Sequence, residues 1–151
     1  MIKIILRYIL AFLISLVMAS LLACIFSTHF VLEGLNDIGV DIPLADRLLM
    51  TIFDLGMIRV LGIVFACCFV IAFVVAAICH RLLPGSRTFW FSVGGATSIG
   101  VLLFSFDVFL GGMPIAGART LPGLFFQCLA GGLGGWLFAK LSMLQVNKES
   151  V

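Results

Sequence analysis

Apolar residues run in four nearly unbroken stretches, at residues 4–26, 60–79, 89–110 and 121–141, and most of the charged residues collect between them. A helix rising about 1.5 Å per residue needs roughly 20 such residues to cross a hydrocarbon core of about 30 Å. Each stretch meets that length, with no Lys, Arg or Glu near its centre. The pattern predicts four transmembrane helices. Between the first two, residues 43–55 read as a short amphipathic helix: Leu44, Leu48, Leu49, Ile52, Phe53 and Leu55 hold one side, and Arg47, Thr51 and Asp54 recur at i, i+4 and i+7 on another. Pro43 is tolerated in its first turn and Gly56 can end it. It is too short to span, so it is expected to lie along the periplasmic interface. The fold class expected is all-α, an integral membrane four-helix bundle with a short amphipathic periplasmic helix between spans 1 and 2, forming one domain over residues 1–151.

Composition agrees with this pattern. The 151 residues are 63% hydrophobic, against about 45–50% for soluble domains, and the mean hydropathy is +1.30. The longest segment outside the spans, Ser27 to Arg59, leaves no room for a second domain. A net charge of +2, scattered along the chain, gives no basic surface for nucleic acid. Its distribution does give an orientation. Lys3, Arg7, Arg81, Arg87, Lys140 and Lys148 fall on one side of a four-span chain, whereas Glu33, Asp37, Asp41, Asp46 and Asp54 crowd the first loop on the other. An excess of Lys and Arg marks the cytoplasmic side, which puts both termini in the cytoplasm. Tyr8, Trp90 and Trp136 lie near the cytoplasmic ends of their spans, where amphipathic rings prefer the headgroup level. Leu21-Leu22-Ala23-Cys24 also sketches a signal ending in a lipid-modified cysteine, but the apolar run continues through Ile25 and Phe26, which favours an uncleaved helix.

Residues that carry chemistry are few. Cys24, Cys67, Cys68, Cys79 and Cys128 form no spaced redox pair, and adjacent Cys67 and Cys68 point about 100° apart on a helix. His29 and His80 belong to opposite ends of the bilayer, too far apart to share a metal or haem, so no cofactor is expected. The outer rim is richer: Arg47, Thr51 and Asp54 in the interfacial helix, Arg59 opening the second span, Asp107 closing the third and Arg119 before the fourth. Charges at membrane depth tend to pair. An ion pair from Asp107 to Arg59 or Arg119 would latch the helix ends. The competing reading is a shallow anion or lipid-headgroup site, with the arginines facing the ligand and the aspartates orienting their guanidinium forks. No nucleophile-base order, metal-spaced set or phosphate-cradling glycine motif accompanies these residues, so no catalytic residue is assigned.

Glycines mark helix contacts. In the last span Gly131 and Gly135 form a small-xxx-small pair, with Gly132 and Gly134 widening the notch. Gly94, Gly95 and Ser98 do the same in the third, and the two spans should form a tight antiparallel hairpin. These positions serve internal packing or a seam between copies.

The combination Arg47...Thr51-x-x-Asp54-Leu55-Gly56, Pro114-Ile115-Ala116...Arg119 and Ala130-Gly131-Gly132-Leu133-Gly134-Gly135 resembles a group of small four-span bacterial inner-membrane proteins without an assigned activity. The resemblance covers nearly the whole chain. It implies the same bundle in the bacterial inner membrane and marks the periplasmic rim as the pattern to test.

The function expected is a non-enzymatic accessory or scaffold component, whose partners are the lipid bilayer and another membrane protein or a second copy. A small oligomeric transporter or channel is the alternative, weakened because no acidic or basic residue lies near a span's midpoint. A membrane enzyme acting on lipid or quinone lacks a nucleophile, redox pair or metal set.

Overall fold

The computed structural model of the protein describes residues 2–37, 58–112 and 115–147, together with Pro43, Leu49, Ile52 and Gly56; side chains are placed for residues 5–35, 62–109, 111–112 and 115–143. Helix α1 runs Ile2–Asp37, α2 Ile58–Leu82, α3 Arg87–Leu110 and α4 Leu121–Asn147, and a 3-10 turn spans Ala116–Ala118. No strand occurs among the described residues. The four helices are each long and apolar enough to cross a membrane. Most of the interfacial helix expected at residues 43–55, Arg47, Thr51 and Asp54 included, lies outside the described residues.

Local chemistry explains where the helices stop. After Leu82, Leu83 N–H still donates to Cys79 O at 2.8 Å, but Pro84 has no N–H to continue and Gly85 takes a φ of 146°. Ser86 then caps α3, its hydroxyl accepting from Phe89 N–H at 3.2 Å. Helix α3 ends where Gly111 adopts the left-handed conformation, φ 68° and ψ 22°. Pro122 sits in the first turn of α4, where its missing N–H has no helical partner to lose.

Helix α1 is longer than its apolar stretch. Its 36 residues make a rod of about 54 Å, continuing past Phe26 without a Gly or Pro until Gly34. The continuation is held from both sides. Thr28 returns its hydroxyl to Cys24 O at 3.0 Å, and the backbone at Ser27 lies against Gly117 of the 3-10 turn so closely that a Cβ on Gly117 would stand 2.6 Å from Ser27 O.

The helices form an antiparallel ring, α1 beside α4, α4 beside α3 and α3 beside α2, with α1 and α2 closing it more loosely. Paired positions set the directions: Phe12 packs on Phe138 and Phe73, and Gly95 faces Gly131. The beginning of α1, the end of α4 and the α2–α3 turn therefore share one end, here the hairpin end. The other, the loop end, holds the α1–α2 and α3–α4 connections. Ala19, Phe65, Phe69, Phe91, Ile99, Leu103 and Ala130 are buried between the helices. The outer surface is equally apolar: Ile71 is 68% exposed, Phe104 66% and Ile63 69%. Water would penalise so much apolar area, whereas lipid accepts it.

Candidate functional site

At the loop end the 3-10 turn positions the rim. Gly117 and Ala118 are buried, and Gly117 O meets the backbone of Gly123 at the start of α4 so closely that no Cβ would fit. Gly123 N–H donates to Thr120 Oγ1 at 3.2 Å and Leu124 N–H to Thr120 O at 2.9 Å, fixing the first turn of α4. Arg119, between the turn and the helix, is exposed, and so is Asp107, one turn before the end of α3. Among the described residues no ion pair joins Asp107 to Arg119. Arg59 lies in the first turn of α2 by its backbone, and its side chain is outside the described residues. The antiparallel order thus brings Arg59, Asp107 and Arg119 to one end of the bundle.

The glycines divide by neighbour. Gly95 faces the backbone of Gly131 and Gly135, and Gly135 faces the carbonyl of Phe91, so α3 and α4 touch backbone to backbone along this line. Ser98, on the same seam, returns its hydroxyl to Gly95 O at 2.8 Å. Gly134 points the other way, where a Cβ would stand 2.8 Å from Ala19 Cβ and 3.1 Å from the Phe69 ring. Gly94 approaches α2, 3.2 Å from Ala76 Cβ on the same measure, and Gly132 has ordinary contact, 3.5 Å, with Ala96 and Ser92. Gly131 and Gly135 seat α4 against α3, and Gly134 makes room for Ala19 of α1 and the edge of the Phe69 ring of α2.

One buried polar group lies apart from both the rim and the glycine seam. Gln127, on α4, is 1% exposed, and its Nε2 donates across the bundle to Ala23 O of α1 at 2.9 Å. Its Oε1 has no hydrogen-bond partner, and neither has the hydroxyl of Ser20, also 1% exposed, one turn earlier on α1. The other buried hydroxyls return to their own helices, Ser15 to Ala11 O at 2.7 Å and Ser142 to Ala139 O at 2.9 Å. The signal was available: Gln127 is the one amide side chain within the four apolar stretches. One amide lowers the hydropathy of α4 without breaking its apolar run, so length and small-residue spacing do not single it out.

Toward the hairpin end the interior is aromatic. Phe73 stacks on Phe138 with centroids 4.7 Å apart, and Phe12, Phe69 and Phe91 surround the pair at 5.0–6.4 Å. Such contacts favour a fixed, dry packing. Among the described residues no three His, Cys, Asp or Glu side chains gather as a metal site, and all five cysteines are free thiols. Gln127 can hold a hydrogen bond but carries no charge and titrates nothing.

These features define a class: an all-helical, multi-pass membrane bundle whose core contains phenylalanines, small residues and the Gln127 amide hydrogen-bonded across to α1. No family model, curated protein or solved structure matches the chain.

Proposed function

We propose that the protein is a non-enzymatic accessory or scaffold component of the bacterial inner membrane, with both termini cytoplasmic, which acts by binding another membrane protein or a second copy of itself. The observation that carries this reading is how the interior is filled. Glycine backbones of α3 and α4 meet without a gap and phenylalanines of all four helices interlock, so the chemistry left for recognition is on the outside. That outside is apolar along the helices and charged at both ends, the surface of a protein that associates laterally.

A second reading, a small oligomeric transporter or channel with the periplasmic charged cluster at its mouth, has one observation in its favour. Gln127 Oε1 and Ser20 Oγ are unpartnered polar atoms in the core, and intramembrane polar groups often mark a path. The two readings separate in the membrane. A photo-cross-linking residue placed at Leu13 and Val17 of α1 and Ile71 of α2, all exposed, is expected to capture one reproducible polypeptide from at least one face. Capture of lipid alone at every position, with solute flux through the purified protein in vesicles, would overturn the accessory reading in favour of the transporter.

A further inference from the structure

Helices α2 and α3 do not close along their outer side. They leave an outward-opening groove of about 430 Å³, with Cys68, Ala72 and Ala76 on one wall and Gly94, Thr97 and Val101 on the other, reaching Trp90 at the hairpin end and Ser105 at the far end. The stretch from Trp90 to Ser105 is about 22 Å of helix. Its hydroxyls are already committed. Thr97 Oγ1 donates to Val93 O at 2.8 Å, Ser98 Oγ to Gly95 O at 2.8 Å and Ser105 Oγ to Val101 O at 2.7 Å. With those donors used inside the helix, the groove presents hydrocarbon and suits a hydrocarbon chain better than a polar ligand.

The hairpin end supplies the other half of the recognition. Arg81 is exposed there and Arg87 half-buried, its guanidinium 5.4 Å from the centre of the Phe91 ring. Lys140 reaches toward Trp136 on α4 at the same end. Among the described residues no acidic side chain stands at this end: Glu33, Asp37 and Asp107 all belong to the loop end. His80 Nδ1, Arg87 Nε and Trp90 Nε1 are buried without hydrogen-bond partners, and two of these are N–H donors. Those buried atoms are out of an outside ligand's reach, but the exposed Arg81 and the half-buried Arg87 guanidinium stand with no described carboxylate at their end, positive charge that suits an anionic acceptor.

We propose that the α2–α3 hairpin binds one anionic phospholipid, its phosphate against Arg81 and Arg87 and one acyl chain in the groove. The site lies opposite the rim cluster of Asp107 and Arg119 and does not depend on the accessory reading. Headgroup selectivity comes from the two arginines, each worth roughly fivefold in affinity at a membrane surface. Chain binding comes from the groove.

The test is native mass spectrometry of the delipidated protein titrated with phosphatidylglycerol or phosphatidylcholine of identical acyl chains. One phosphatidylglycerol per chain is expected, bound at least tenfold more tightly than phosphatidylcholine. Arg81→Gln with Arg87→Gln should remove that preference, and Thr97→Phe, which fills the groove, should weaken both lipids alike. Helical content by circular dichroism identifies folded variants. If the double variant does not fold, Arg81→Gln alone decides, since it sits outside the helix packing and should reduce the preference roughly fivefold. Equal affinity for the two lipids would overturn the proposal, leaving only annular lipid. A groove without lipid in a dimer that dissociates on Thr97→Phe would also overturn it and assign the groove to a second copy.

Discussion

At Gly95, Gly131 and Gly135 the cost of a methyl group is set by what cannot move. A Cβ on Gly95 would run into the Gly131 carbonyl, and one on Gly131 would stand 2.6 Å from the Ile99 side chain as well as against the Gly95 carbonyl. Backbone does not rotate away as a side-chain end does, so the helices must separate. Gly95→Ala or Gly131→Ala should therefore destabilise the bundle by about 1–3 kcal/mol, read as a lower melting temperature in detergent. Gly132→Ala, where the new carbon meets its neighbours at 3.5 Å, should stay within about 0.5 kcal/mol of the parent. Gln127 poses a different question. Its bond to Ala23 O goes to a carbonyl inside α1, where the helix provides that oxygen with a partner of its own. Gln127→Met keeps the volume and removes the orphaned Oε1, so the expected loss is under about 1 kcal/mol, in line with the modest net worth of such bonds in membranes. A collapse of the melting transition in Gln127→Met would show that the amide organises the core.

At the scale of elements, the α3–α4 pair has the most extensive contact and, of the neighbouring helices, α1 with α2 the least. Hydrogen exchange should follow that order, slowest in the middle of α3 and α4 and faster in the last turns of α1 beyond Leu32; uniform protection along α1 would contradict it. The four helices were legible in the sequence because lipid imposes one requirement, an apolar run of sufficient length with every backbone group bonded internally. The small-residue spacing at Gly131 and Gly135 pointed to a close approach, though not to the carbonyls of Gly95 and Phe91 that fill it. The extension of α1 was not legible. Hydropathy falls after Phe26 while the helix continues, because Thr28 returns its hydroxyl inward and Gly117, distant in sequence, makes room for Ser27. At the rim, sequence alone placed Asp107 and Arg119 on one side of the membrane but could not give their separation, which depends on how the 3-10 turn folds back onto α1.

For the whole molecule, the antiparallel order places the start of α1, the end of α4 and the Pro84-Gly85 turn at one end, with the 3-10 turn at the other. With the five native cysteines replaced, a single cysteine at Leu83, which is exposed, should react with a membrane-impermeant maleimide only from the cytoplasmic face, and one at Ala116, also exposed, only from the opposite face. Reaction of both from one side would break the four-span arrangement. The larger claim is that a closed interior leaves the outer helix faces to do the work. Native mass spectrometry of the protein extracted gently from its own membrane tests that most directly. A reproducible complex, with another membrane polypeptide at fixed stoichiometry or with a second copy, is the result this account predicts. A solitary chain, with no partner retained under conditions that preserve other membrane complexes, would contradict it.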